Sequence, residues 1–410
     1  MSGRRDGRVS GSWRDDRAWQ AGILLGSAIG AAATVVGRRM EHQARTGLVD
    51  WPGVERIAVA RLAAAPGRLS AADLRAAGPA YQAAMDRIVP ALAAALGTPL
   101  PGVVQRSGVV DRAGWVEANT AAFAAIIGRL ESDLLDQVIP VGGGLAKATM
   151  ALANRWVTTR QLGFLLGFMG QRVLGQYDLA LLSAESTPGR LLFVEENIRQ
   201  TATSLGLPLE PFRTWIALHE TTHAFEFEAH PWLRPYLASR LERQMSLFGS
   251  DVQGMGREAI RGLGRALRGE NGGEHWMERL MGEEQRRLFR ETQAVMSLLE
   301  GFCDYVMDEV GKDLVPDVER ISARFHERRN KRTAFERSML RLTGMDLKME
   351  QYKKGEAFVR AIADARGRDA LSHLWDGPES LPRDGEIEAP DRWMARVLDG
   401  SLAQRPEVGS

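Results

Sequence analysis

Two histidines and a glutamate, His219-Glu220-x-x-His223 within Trp215 to His223 (WIALHETTH), carry the spacing in this chain that most directly implies chemistry. The lead-in is apolar and holds neither Pro nor Gly, so a helix is expected there. Residues four apart on a helix lie about 40° apart around the axis and one turn apart along it, so both imidazoles can reach one Zn²⁺. Glu220 stands beside the first histidine. From that place its carboxylate can take a proton from a water the metal has acidified, without occupying a coordination position. The chain has 7 histidines, and four of the other five stand singly at 42, 275, 326 and 373, so general His enrichment does not explain the pair.

Two histidines need a third ligand. A histidine six residues after the second would complete one arrangement, but position 229 is Ala and His230 falls one residue late. Glu226 sits about one turn past His223 and Glu228 turns away from the ligand face, so both are expected on a solvated rim. Glu300, in Met296 to Glu309 (MSLLEGFCDYVMDE), is the stronger candidate. It ends an apolar run, where a lone carboxylate is costly unless paired or metal-bound. Asp304, four residues on, shares that face and can hold the free ring nitrogen of a ligand histidine. The plain alternative is a surface charge pair. Cys303, between them, is expected as a small buried hydrophobe rather than a reactive thiol.

The elements around these residues are helical almost throughout. Ser70-x-x-Asp73 has the form of a capping box before Leu74, and Tyr81, Met85, Ile88, Leu92 and Leu96 follow at helical spacing, with Pro90 an expected kink. Trp115, Phe123, Ile126, Ile127, Leu130 and Leu134 continue the pattern. The best strand candidate is Leu191 to Val194, opened by Pro188-Gly189 and closed before Glu195. Gln161 to Gly175 places Gly163, Gly167 and Gly170 where two helices can approach closely. Gly269 to Gly273 and Leu381 to Pro390 are expected loops. The expected fold is therefore mainly α, with at most a small β element near the active-site helix. Its expected parts are residues 1–45, a polar tail plus a Gly/Ala-rich apolar segment; 46–180, a helical region; 181–400, the catalytic region packed with the preceding one as a unit; and a tail at 401–410.

Composition narrows the function classes. With 410 residues there is ample core, and 44% hydrophobic against 26% charged residues excludes a wholly disordered or polytopic membrane protein. Lys plus Arg is 53 against Asp plus Glu 52, a balance that argues against a nucleic-acid partner. One cysteine excludes an intrachain disulfide and any multi-thiolate zinc finger. Ala21 to Gly37 is uncharged, flanked by Arg17 and Arg38-Arg39, and carries Gly22, Gly26 and Gly30 four apart. Its 17 positions stand at the short end for a membrane span, and no signal-peptidase-like site follows. A buried helix and a cytoplasmic location are expected, with membrane association through 21–37 as the alternative.

Longer landmarks support a family resemblance. Val49-Asp50-Trp51, VVDRAGWVEAN (109–119), VLGQYDL (173–179), GRLLFVEENI (189–198), WIALHETTHAFEF (215–227), PWLRPYL (231–237), LLEGFCDYVMD (298–308) and LRLTGMDLKMEQYKKGEAFV (340–359) cover most of residues 48–398. Together they resemble a bacterial family of zincin-like hydrolases, often labelled zinc-dependent metalloproteases and sometimes named for genomic association with deazaflavin-cofactor biosynthesis. The resemblance implies a multi-helical zincin-like fold, His219 and His223 as zinc ligands, Glu220 as catalytic carboxylate and Glu300 as third ligand. The chain departs where a histidine is expected after Glu300-Gly301 and carries Phe302, then Cys303.

The chemistry expected is zinc-assisted hydrolysis of a peptide bond or small amide, with Glu220 passing the water's proton to the leaving nitrogen. An oxyanion partner is also needed. His326, Tyr352 and His373 are the candidates, and Tyr352 ranks first because it lies in the QYKKGEAFV landmark. A non-peptide amide or ester in cofactor metabolism, and a non-catalytic zinc scaffold, are the alternatives.

Overall fold

The computed structural model describes residues 47, 49–100, 102–138, 145–177, 190–254, 282–330, 348–383 and 385–400. The expected segments 21–37 and 269–273 lie outside them, as do the ends of the chain.

Two helices and a short strand open the described chain: α1 (Trp51–Ala63), α2 (Ala71–Leu96) and β1 (Ser107–Val110). Ser70 closes the expected capping box, its Oγ accepting the Asp73 N–H at 3.1 Å while Asp73 Oδ2 accepts the Ser70 N–H at 3.1 Å. The helix runs on through Pro79 and Pro90 to Gly97, which takes a left-handed φ of 68° and stops it. Helices α3 (Arg112–Val138) and α4 (Leu145–Gly170) follow, then β2 (Gly175–Tyr177). The small residues of α4 bring it onto α1. A Cβ on Gly163 would stand 2.7 Å from Ile57 Cβ, and one on Gly167 would stand 3.2 Å from the Ala58 carbonyl, so the two backbones are in near contact.

The expected strand is present as β3 (Leu191–Val194), all four residues buried. It is the middle strand of three, in the order β1-β3-β2. Strand β1 pairs with it in parallel, Ser107 opposite Leu191, and β2 pairs antiparallel, Gly175 opposite Phe193. The chain passes from β3 directly into α5 (Glu195–Leu205) and then into α6 (Leu209–Ala229), which holds the histidine pair. Beyond it come α7 (Leu233–Gly254), α8 (Glu283–Leu314), α9 (Val318–Asn330), α10 (Lys348–Arg366), a 3₁₀ segment (Arg368–Trp375) and α11 (Pro390–Val397). Residues 381–383 and 385–389 hold bends and turns but neither helix nor strand, as expected of that loop, and Pro390 opens α11.

The main core gathers the apolar faces of α2, α6, α8 and α10 with β3, through residues such as Met85, Phe193, Ile216, Leu298 and Phe358. A smaller core joins α1, α3 and α4 around Trp115. The fold is thus mainly α with one small sheet beside α6. Among the described residues, no helix is long and apolar enough to cross a membrane.

Candidate metal centre

Helix α6 is buried along most of its length, by Phe212, Trp215, Ile216, Ala217, Leu218, Ala224, Phe225 and Phe227. Within the motif, Thr221 and Thr222 face the interior and are satisfied by their own helix, their hydroxyls donating to Ala217 O (2.6 Å) and Leu218 O (2.9 Å). That leaves His219, Glu220 and His223 as the half-buried positions. The two imidazoles meet edge to face with centroids 4.8 Å apart, and Trp215 stacks on His219 from the turn before.

Each histidine has its Nδ1 engaged. His223 Nδ1 lies 2.8 Å from Glu226 Oε2, which leaves its Nε2 for a metal. Glu226 is fully buried, and its other oxygen, Oε1, has no hydrogen-bond partner. The expectation of a solvated rim fails at this residue, because α8 packs over α6 and shuts Glu226 away from water. His219 Nδ1 lies 3.1 Å from Cys303 Sγ on α8. Ligand atoms of His219, His223 and Cys303 all fall within 4.8 Å of one another, and no other such cluster of metal-binding types occurs among the described residues.

Glu220 is held from the sheet side. Edge strand β2 passes across it, and the Tyr177 N–H donates to Glu220 Oε2 at 3.2 Å. Gly175 makes that approach possible, since a Cβ there would lie 2.6 Å from Glu220 Cγ. The far end of Tyr177 is clamped: its hydroxyl donates to Glu228 Oε1 (2.8 Å) and accepts from Arg234 Nη2 (2.5 Å). Arg106 Nη2 bonds both oxygens of Glu228, at 2.7 and 2.6 Å. Glu228 therefore also departs from the rim expected for it; it turns away from the ligand face, as its spacing requires, but anchors β2.

From α8, Glu300 is half-buried and its charge reaches Glu220, His223, Glu226 and Cys303. The helix is set by a backbone contact, for a Cβ on Gly301 would stand 2.1 Å from the Gly355 carbonyl carbon of α10. Burial, reinforced by Glu300, pushes the Glu220 carboxyl up to about 7 against the pull of His223. Glu226 is raised to about 7 by the same two causes, with His223 again opposing. Burial alone would lower His223, but Glu226, Glu300 and Glu220 outweigh it and raise the imidazole to about 10. Burial and four neighbouring carboxylates push the Cys303 thiol well up. Three carboxylates acting on the His223 imidazole, one with an orphaned buried oxygen, form an environment that a divalent cation would relieve. Two imidazoles with a thiolate or carboxylate as third donor fit Zn²⁺; the donor atoms brought within 4.8 Å of one another are those of His219, His223 and Cys303, and Glu300 is not among them.

Of the remaining expected residues, Asp304 is half-buried next to Cys303 and contributes to the thiol's upward shift. Tyr352 lies on α10 and His326 on α9, with side chains outside the described residues. His373 is exposed in the 3₁₀ segment, its Nδ1 2.7 Å from Asp376. The residue misplaced from sequence is Glu226, put on a solvated rim although its i,i+3 spacing from His223 was the available signal.

A helix bearing His-Glu-x-x-His, set under a small sheet and crossed by a second helix with a carboxylate, defines a zincin-like centre. The chain belongs to the zincin-like metallopeptidase family, which matches residues 49–394. It is also similar to a crystal structure described as "a putative hydrolase with a novel fold" from Chloroflexus aurantiacus, at 34% identity and a TM-score of 0.65, covering 87% of this chain and 100% of that one. A search of curated proteins returned no match. Family and neighbour support a zinc-dependent hydrolase.

Proposed function

We propose that the protein is a metallopeptidase in which His219, His223 and Glu300 hold zinc and Glu220 is the general base. The observation that carries this reading is Glu220 itself, half-buried between the two histidines and steadied by the Tyr177 N–H. A purely structural zinc site has no use for a carboxylate there. Zinc bound at these residues would polarise a scissile carbonyl and acidify the attacking water. Glu220 takes that water's proton and passes it to the leaving nitrogen, a role suited to a carboxyl held near 7. Asp304, whose charge acts on the Cys303 thiol, is assigned to help orient a ligand histidine. Tyr352 is assigned to the developing oxyanion on the strength of its place in the QYKKGEAFV landmark.

The test is elemental zinc analysis on wild type, His223→Ala, Glu300→Ala and Glu220→Gln, with circular dichroism to check the fold and a peptide library to read cleavage. One zinc per chain is expected in wild type and Glu220→Gln, and little in the other two. Glu220→Gln should cost about 10²–10⁴-fold in turnover. Zinc retained by Glu300→Ala would move the third ligand elsewhere. Turnover of small amides or esters with no peptide cut would assign the site to metabolite hydrolysis instead.

A further inference from the structure

We propose that Cys303 is the positioning residue that fixes the metal-binding tautomer of His219. The inference rests on the reading of His219 and His223 as zinc ligands. Two contacts carry it: Cys303 Sγ lies 3.1 Å from His219 Nδ1 and 3.5 Å from the backbone carbonyl oxygen of the same residue.

A thiol has one proton to give and sulfur lone pairs to accept with. Donating S–H to the His219 carbonyl leaves the lone pairs facing the ring, where they accept from Nδ1–H. The proton is thereby kept on Nδ1, and the lone pair of Nε2 is left for the metal. The reverse arrangement, S–H donating to Nδ1, would put the ring proton on Nε2 and block coordination. The carbonyl contact favours the first, because it gives the S–H a second place to go.

Cys303 as a ligand fits the distance less well. A sulfur at about 2.3 Å and His219 Nδ1 at about 2.0–2.1 Å from one tetrahedral zinc would stand roughly 3.6 Å apart, and coordination through Nε2 would set Nδ1 farther still from the sulfur. The observed 3.1 Å is a hydrogen-bond separation. His223 Nδ1 thus meets a buried carboxylate, Glu226, and His219 Nδ1 a neutral, weaker acceptor.

The experiment uses the full chain. Zinc affinity is measured by competition with a chromophoric chelator on wild type, Cys303→Ala and Cys303→Ser, and the absorption spectrum of the cobalt-loaded wild type is recorded. A hydroxyl can accept from Nδ1–H and donate to the same carbonyl; a methyl can do neither. Cys303→Ala should lose about tenfold in affinity, and Cys303→Ser should stay within about threefold of wild type. Cobalt-loaded wild type should show no near-ultraviolet thiolate-to-metal charge-transfer band. Equal affinity in wild type and Cys303→Ala, or a serine variant as weak as the alanine one, overturns the proposal. A charge-transfer band makes Cys303 a ligand and overturns it as well. Wild type that binds no metal removes the zinc reading itself, a distinct result. Should Cys303→Ala fail to fold, the serine variant and the cobalt spectrum decide.

Discussion

A glutamate three residues past a histidine is commonplace on a helix surface, and at Glu226 it is burial that sets the contact apart. Its Oε2 holds His223 Nδ1 at 2.8 Å in a place water does not reach. A carboxylate in that role raises the basicity of the ligand ring and fixes its orientation. Glu226→Gln keeps an acceptor but removes the charge, so zinc affinity should fall by about 10–100-fold while the helix persists, as chelator competition beside circular dichroism would read. An unchanged affinity would reduce Glu226 to a buried spacer. The difference between what the sequence disclosed and what it hid follows from distance along the chain. His219, Glu220 and His223 are legible because helical periodicity is local. The surroundings of Glu226, and the contact between His219 and Cys303, depend on α8, more than fifty residues further on, and no local pattern encodes which of its residues will meet them.

At the scale of elements, β3 was legible as an unbroken apolar run bounded by a turn, while β1 and β2 were not. Both flank it, both are only partly buried, and β2 is three residues long, so neither has the alternation or the apolar density that marks a strand. Their place is decided by β3, which supplies their backbone partners. The α8–α10 crossing was equally hidden. It depends on Gly301 and Gly355, each lying where the other helix's backbone passes: a Cβ on Gly355 would stand 1.9 Å from the Ser297 carbonyl oxygen. Backbone cannot move aside as a side-chain tip can. Gly301→Ala or Gly355→Ala should therefore cost about 3 kcal/mol or more in urea unfolding, and should weaken zinc binding by shifting the helix that carries Glu300 and Cys303. Gly128 on α3 is the control. A Cβ there meets nothing within 4 Å, so Gly128→Ala should stabilise by about 0.5–1 kcal/mol through helix propensity. If all three variants shifted stability alike, close packing would not be the cause.

Over the whole molecule, the helices that flank the sheet are tied together by charge as well as by apolar contact. Glu195, the first residue of α5, is fully buried and accepts the Tyr81 hydroxyl of α2 at 2.7 Å, Arg213 Nε of α6 at 3.2 Å and Arg199 Nε at 2.6 Å, with Arg213 Nη2 closing the pair. Sequence marked Glu195 only as the end of a strand, because Tyr81 and Arg213 come from helices on either side of it in the chain. Burial would raise this carboxyl, but the bonds from Arg213, Arg199 and Tyr81 outweigh it and hold the group below its ordinary 4.5. A carboxyl depressed in the folded state contributes stability that is present above its unfolded value and is lost as pH falls through the folded one, because the unfolded chain takes up the proton first. At neutral pH, Glu195→Gln should cost about 3–5 kcal/mol, since it strands a buried Arg213 without its carboxylate. Urea unfolding of wild type and variant, compared at neutral pH and again below the ordinary 4.5, separates charge from packing. The gap between the two proteins should narrow on acidification, as wild type loses what the variant never had. A gap that stayed constant across that range would mean that Glu195 acts through shape, and that the three helices are joined there by packing alone.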